Sequence, residues 1–98
     1  MLNSINQNEL FHIYYTQWIS IYKEGAIRKV TMDKYRQTEI WLKKLIPDLR
    51  ICDLNRLIYQ KLLNDYAEFH ERQTTMDFHH QLKASILDAV DEGFIDRD

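Results

Sequence analysis

The chain has 98 residues, 45% of them hydrophobic, and its formal net charge is −2. This length favours a single domain, and two glycines with one proline supply too few turn signals for a many-stranded β-sandwich. The negative charge argues against a protein that holds nucleic acid by overall basicity. Cys52 is the one cysteine, so no disulfide can form within the chain, which favours a reducing compartment. We interpret Cys52 as a small buried hydrophobic residue.

The sequence shows no targeting or membrane-spanning segment. Its uncharged run from Leu10 to Tyr22 has 13 residues, fewer than the roughly 20 that cross a bilayer as a helix. The opening residues lack the basic region of a signal peptide. These features predict a cytoplasmic protein.

Two helices are predicted in the first half of the chain. The first covers about residues 9–23 with Asn8 as its N-cap, and Gly25 ends it. Aromatic residues share one of its faces: Phe11, Tyr14, Tyr15, Trp18 and Tyr22. The second covers about residues 32–46, begins at a Thr31 cap and stops before Pro47. Its core side carries Tyr35, Leu42 and Leu45.

Two more helices are predicted in the second half. The third covers about residues 56–69 with Asn55 as its cap, and its apolar stripe is Ile58, Leu62, Tyr66 and Phe69. The fourth covers about residues 76–92 and is capped by Thr74 or Thr75. Thr74 and Asp77 have the spacing of a capping box, and Gly93 is placed to terminate the helix. Its buried side is predicted to contain Phe78, Leu82, Ala89 and either Ser85 or Ile86.

Four amphipathic helices with short connectors predict an all-α fold, a small four-helix bundle that forms one domain over residues 1–98. No segment alternates strictly enough to predict a strand.

The sequence offers little for catalysis or for a metal. His79 and His80 are adjacent, so on a helix they point about 100° apart, and we expect them to be solvated or to face phosphate. Asp88, Asp91 and Glu92 have no nucleophile beside them, so we interpret them as a solvated face. No phosphate-binding glycine loop or serine elbow occurs. We therefore predict no metal site, no cofactor and no enzyme activity for this chain alone.

Two predicted helix starts combine hydroxyl groups with cations, an arrangement that suits phosphate. The candidate DNA-binding residues are Arg28, Lys29, Thr31, Lys34 and Tyr35 around the second helix, and Arg72, Thr74, Thr75, His79, His80 and Lys83 around the fourth. Ordinary capping beside solvated lysines explains the same residues equally well.

The order of the motifs resembles a known family. An aromatic residue and a tryptophan precede a short basic loop and a threonine in "LFHIYYTQWISIYKEGAIRKVT", and Thr31 and Tyr35 follow the family pattern of the second helix. The third and fourth helices match in "ICDLNRLIYQKLLNDY" and "TTMDFHHQLKASILDAVDEGFI". Over about residues 10–95 the chain resembles the core-binding domain, or SAM-like N-terminal domain, of tyrosine recombinases, the integrases of phages and mobile elements.

The resemblance implies a domain that closes on duplex DNA at the core or attachment site during DNA integration and recombination. It implies that the second and fourth helices face the major groove. Implied partners are duplex DNA, a C-terminal catalytic domain of the same parent chain and other integrase protomers. The nucleophilic tyrosine belongs to that catalytic domain, so none of the six tyrosines here is expected to be catalytic. The alternative is a small helical protein-interaction module without a nucleic-acid role. A third hypothesis, a helix-turn-helix regulator, would need a short glycine-containing turn between two adjacent helices, and the sequence shows none.

Overall fold

A computed structural model describes residues 6–95, which form four α-helices. The helices are α1 (Phe11–Tyr22), α2 (Lys29–Leu45), α3 (Arg56–Ala67) and α4 (Arg72–Asp91). A short 3₁₀ helix at Ile51–Asp53 connects α2 to α3, and one antiparallel bridge pairs Leu10 with Arg50. Residues 6–95 contain no β-strand, so the predicted all-α bundle is confirmed. Within the same residues, no helix is both long and apolar enough to span a bilayer.

The aromatic face of α1 forms the centre of the core. Phe11, Tyr14, Tyr15 and Trp18 are all buried, as the helical spacing predicted. Tyr22 shares this face, since its ring centroid lies 5.8 Å from that of Trp18, but it is exposed and is the last residue of the helix.

Two tyrosine hydroxyls of α1 reach across to α4. Tyr14 donates a hydrogen bond to the backbone oxygen of Ser85 (2.6 Å) and Tyr15 donates one to that of Gln81 (3.4 Å). These bonds let α1 bury phenol rings without leaving a polar group unsatisfied, which would cost about 1–3 kcal/mol for each group. The same face of α4 buries Phe78, Leu82 and Ala89 as predicted, with Ser85 fully buried and Ile86 half-buried.

The stripes of α2 and α3 largely follow the prediction. Leu42 is fully buried, and Tyr35 and Leu45 pack half-buried against the core. In α3, Leu62 and Tyr66 are buried. Phe69 was predicted wrongly: α3 ends at Ala67, so Phe69 lies beyond the helix and is 66% exposed.

Asn55 is the one predicted N-cap that the structure confirms. Its side-chain oxygen accepts a hydrogen bond from the backbone N–H of Ile58 (2.9 Å). This bond satisfies one of the N–H groups that have no partner inside the helix. The start of α3 was therefore predicted correctly.

The other three helices do not begin at the asparagine and threonines that were predicted to cap them. The N-cap of α1 is Leu10 instead of Asn8, and that of α2 is Arg28 instead of Thr31. Thr31 is the third residue of α2, because nothing after Gly25 interrupts the chain and lysine is a good helix former.

The start of α4 was also predicted wrongly. Its N-cap is Glu71, whose backbone oxygen accepts from the N–H of Thr75 (3.0 Å). Thr74 and Thr75 therefore lie inside the first turn, because Glu71, Arg72 and Gln73 are themselves good helix formers. The Thr74–Asp77 capping box does not form; the Asp77 carboxylate accepts from Gln73 instead (3.1 Å).

Gly93 ends α4 as predicted. Its φ angle is +82°, a conformation that glycine adopts at little cost. The N–H of Gly93 bonds to the oxygen of Val90 (3.0 Å), and the N–H of Phe94 bonds to that of Ala89 (2.9 Å). This pair of bonds is a Schellman motif, and it returns Phe94 to the core, where its ring contacts Tyr14 edge-on.

Two further predictions about burial were wrong. Cys52 is exposed, because Ile51 at the start of the 3₁₀ helix and Leu54 directly after it take the buried positions. Asp88 is half-buried rather than solvated, since its carboxylate accepts a hydrogen bond from the indole N–H of Trp18 (2.8 Å).

Candidate nucleic-acid interface

The start of α2 presents three exposed cations, Arg28, Lys29 and Lys34. Thr31 is half-buried on the same turn. No side chain caps this helix start, so its first N–H groups keep their hydrogen-bonding capacity. Cations together with free helical N–H groups form an environment that favours an anion.

Tyr35 belongs partly to the core. Its ring is half-buried, and the Lys23 ammonium lies 5.6 Å from its centroid and 5.4 Å from that of Trp18. Lys23 was not among the predicted site residues, because a residue in the turn after a helix gives no periodic signal. Arg36, by contrast, is engaged by carboxylates at 2.7 Å (Glu24) and 3.2 Å (Glu39).

The start of α4 carries the exposed Arg72 and the half-buried Thr74 and Thr75. The Thr75 hydroxyl donates to the backbone oxygen of Glu71 (3.0 Å), so its proton is used within the helix. The Glu71 side chain makes no capping bond. This helix start therefore offers backbone N–H groups and one nearby cation.

One turn further along α4, Met76, His80 and Lys83 are exposed. His79 is different: it is half-buried, and its Nδ1 lies 2.8 Å from the Tyr59 hydroxyl of α3. Burial lowers the pKa of His79 below its ordinary value, and the nearby His80 and Lys83 lower it further. His79 was expected to be solvated or to face phosphate; it is not solvated, and its contact with phosphate stays a prediction.

The two helix starts lie at different places on the surface. The Trp41 ring, in the second half of α2, is 4.6 Å from the ring of His70, just before α4. Near its beginning, α2 instead places Tyr35 beside Lys23 and Trp18, and Trp18 bonds to Asp88 near the end of α4. The start of α4 is therefore beside the end of α2.

That neighbourhood adds one cation which the candidate list did not contain. Lys44 is exposed in the last turn of α2, and its ammonium lies 4.8 Å from the Trp41 ring centroid. Lysines in a last turn are common because they complement the helix dipole, so the sequence alone did not distinguish Lys44. Its proximity to His70 and the start of α4 required the three-dimensional arrangement. The neighbouring Lys43 is also exposed, but it lies beside His12 and Thr16 of α1.

Burial affects the ionisation of three tyrosines, Tyr14, Tyr15 and Tyr59. Burial raises the pKa of Tyr14, Tyr15 and Tyr59 above the ordinary tyrosine value. A nucleophilic phenol must lose its proton, and burial disfavours that charged form. In residues 6–95 no group of three histidine, cysteine or carboxylate side chains is placed to hold a metal ion.

No family model and no curated protein matches the sequence. Two solved structures do match. The crystal structure of the N-terminal domain of prophage pi2 protein 01, an integrase from Lactococcus lactis, is 33% identical; the match covers 92% of this chain and 86% of that one, with a TM-score of 0.86. The solution NMR structure of fragment 59–159 of the phage integrase SSP1947 from Staphylococcus saprophyticus is 25% identical; the match covers 91% of this chain and 81% of that one, with a TM-score of 0.79.

Proposed function

This chain belongs to the family of phage integrase N-terminal domains, and we propose that it binds duplex DNA at the core site of a tyrosine-type recombinase. In this proposal the domain forms one half of a clamp around the duplex. The catalytic domain of the same parent chain, C-terminal to these residues, forms the other half and supplies the nucleophilic tyrosine. Other integrase protomers complete the assembly on DNA.

One observation carries the DNA-binding proposal: a set of exposed cations on α2 and α4 has no carboxylate partner within residues 6–95. Arg36 and Lys61 do have such partners. Among the candidate residues, the unpaired cations are Arg28, Lys29, Lys34, Arg72 and Lys83; Lys43 and Lys44 at the end of α2 are likewise unpaired. Phosphate groups neutralise such cations and release condensed counterions, which supplies much of the affinity for DNA.

The other candidate residues take supporting roles. The first-turn N–H groups of α2 and α4 donate to phosphate oxygens, and the hydroxyls of Thr31, Thr74 and Thr75 lie in those same turns. Tyr35 fixes the start of α2 through its packing beside Lys23. His80 approaches the duplex, while the ring of His79 is held by the Tyr59 hydroxyl.

We expect the isolated domain to bind weakly. Its net charge is −2, and a clamp with one half missing makes fewer phosphate contacts. Because each contact releases counterions, affinity should fall steeply with salt concentration.

An NMR titration of the isotope-labelled domain with an attachment-site duplex tests the proposal. Backbone shifts are expected in residues 28–35 and 72–83. An unrelated duplex of equal length should shift the same residues by smaller amounts at equal concentration. Shifts confined to residues 88–95 would show that the proposed face or the proposed function is wrong.

A matched pair of lysines controls for overall charge. Lys34→Ala and Lys61→Ala remove the same charge from exposed positions, but Lys61 is already paired with Asp65 (2.9 Å). Lys34→Ala should weaken DNA binding by more than Lys61→Ala does. Equal weakening would indicate that DNA responds to net charge alone and that the α2 start has no special role.

A further inference from the structure

An ion pair ties the connector between α1 and α2, residues 23–28, to the side of α2. The Glu24 carboxylate accepts a hydrogen bond from Nη2 of Arg36 at 2.7 Å. The other terminal nitrogen of Arg36, Nη1, donates to Oε1 of Glu39 at 3.2 Å. The Thr16 hydroxyl of α1 shares its proton between Oε2 of Glu39 (2.8 Å) and the backbone oxygen of His12 (2.9 Å). One guanidinium therefore links the connector to α2 and, through Glu39, to α1.

A second contact lies directly beside this ion pair. The Lys23 ammonium lies 5.6 Å from the Tyr35 ring centroid, so two consecutive residues of the connector contact two consecutive residues of α2. Gly25 follows them with a φ angle of +81°, a conformation that lets the chain turn towards the start of α2. The connector is therefore held against α2 by a cation on a ring and by an ion pair, just before the turn.

The ion pair encloses the candidate DNA-binding residues at the start of α2. Glu24 and Arg36 are 12 positions apart, and the segment between them begins a helix that no side chain caps. An uncapped first turn frays easily. A contact that joins the two ends of the segment restricts how far its backbone can move. All five candidates around α2 lie inside the segment: Arg28, Lys29, Thr31, Lys34 and Tyr35.

We propose that Glu24 and Arg36 are positioning residues for DNA binding, and that their ion pair holds the start of α2 in the arrangement which a duplex contacts. This inference rests on the proposed function. Neither residue has to touch DNA, because Arg36 is engaged by two carboxylates and Glu24 carries a charge that phosphate repels. A segment that is already held in its binding arrangement loses less conformational entropy when the duplex arrives.

The proposal and simple electrostatics predict opposite effects for Glu24→Gln. If charge alone determines affinity, removing a carboxylate strengthens binding, since DNA is negatively charged. If the ion pair positions α2, the same substitution releases the connector and weakens binding. The side chains of Arg36 and Glu24 are 38% and 59% exposed, and exposed ion pairs have small effects. We therefore expect affinity to fall by about threefold.

Fluorescence anisotropy with a short fluorescein-labelled duplex measures these affinities. The double variant Glu24→Gln/Arg36→Gln loses one charge of each sign and keeps the net charge of −2. It should nevertheless bind about threefold more weakly than the wild type. Asp48→Asn is the matched control for Glu24→Gln, because Asp48 is exposed in the loop after α2 and has no ion pair within residues 6–95. This control should bind at least as tightly as the wild type.

Amide hydrogen exchange, followed by NMR, locates the effect in the absence of DNA. The N–H of Met32 donates to the backbone oxygen of Arg28 at 2.9 Å, so it reports on the first turn of α2. This amide should exchange about threefold faster in Glu24→Gln than in the wild type. The amide of Leu42, in the buried part of α2, should exchange at the wild-type rate. The melting temperature should stay close to that of the wild type, which separates positioning from a loss of global stability.

Three results would overturn the proposal. The first is DNA binding by Glu24→Gln at or above the wild-type affinity; tighter binding would show that the released Arg36 contacts phosphate itself. The second is wild-type affinity in the double variant, which would show that charge alone matters. The third is unchanged exchange of the Met32 amide. Failure of the proposed function gives a different result, because the wild type and every variant would then leave the duplex unbound at low salt, and the positioning role would fall with it.

Discussion

Replacing Trp18 by phenylalanine tests the bond that joins α1 to the end of α4. The Trp18 side chain is 2% exposed, and its N–H donates to the Asp88 carboxylate at 2.8 Å. Phenylalanine keeps most of the apolar surface and removes the donor. Hydrogen bonds to charged groups contribute about 1.5–3 kcal/mol to stability. Because Asp88 is only half-buried, we expect this bond to contribute near the lower end of that range. With a urea m value of about 1 kcal/mol/M, the unfolding midpoint should fall by about 1.5 M.

A double-mutant cycle with Asp88→Ala isolates that bond. We expect Trp18→Phe and Asp88→Ala to be coupled by about 1–2 kcal/mol in urea unfolding. Trp41→Phe is the matched control, because Trp41 packs among Tyr66 and His70, away from Asp88. Coupling below about 0.5 kcal/mol, the level at which unconnected sites add, would refute the assigned bond. The full truncation Trp18→Ala should cost about 2–5 kcal/mol through lost burial and a cavity.

Three further predictions address the core, the interface and pH. Leu42→Ala should cost about 2–5 kcal/mol because Leu42 is 0% exposed; a loss under about 1 kcal/mol in urea unfolding would contradict its core position. Lys34→Ala and Lys83→Ala should each reduce the slope of log affinity for duplex DNA against log salt concentration by about one phosphate contact. The free energy of unfolding should change by less than about 0.5 kcal/mol. An unaltered slope would show that the substituted lysine does not contact DNA. The pKa of His79 is lowered in the fold, so the unfolded chain binds a proton first as pH falls below about 6.5, and the stability of the fold should decrease on acidification. In thermal unfolding between pH 7.5 and 5, the melting temperature of His79→Asn should fall by less than that of the wild type. Equal falls in melting temperature would contradict this.

The core was predictable where one periodic signal determined it. Phe11, Tyr14, Tyr15 and Trp18 recur at helical spacing, and no competing pattern existed, so their shared burial followed from geometry alone. The exceptions stand at helix ends. Phe69 fitted its stripe by spacing, but α3 ends two residues earlier, and helix ends depend on tertiary contacts that spacing does not report.

The helix starts were less predictable because capping preferences are weak compared with helix propensity over several residues. Thr31, Thr74 and Thr75 have good capping side chains. They nevertheless lie inside their helices, since the residues before them are good helix formers and no proline or glycine stops the helix there. Asn55 was predicted correctly: it is the N-cap of α3, and its side-chain oxygen accepts from the N–H of Ile58.

The resemblance to recombinase core-binding domains is confirmed at the level of the integrase N-terminal domain, and the DNA-binding residues stay a prediction. Long-range pairs were outside the reach of sequence reasoning. Tyr59 and His79 are 20 positions apart, and Trp18 and Asp88 are 70 apart. No local pattern relates residues at those separations, although each pair decides whether a polar side chain is available to a ligand.

The net charge of −2 is a poor guide to what this surface binds, because the charges are not equally available. Asp88 is engaged by Trp18, Glu24 and Glu39 by Arg36, and Asp65 by Lys61. These carboxylates are held in contacts within the fold, so their charges act on a ligand mainly from a distance. At 0.1 M salt, such interactions are screened beyond about 10 Å. The unpaired cations at the start of α2 and along α4 meet a ligand directly. Under the proposed function, a duplex at those cations would therefore gain local contacts that the chain's total charge does not reveal, while the acid elsewhere would limit affinity at low salt.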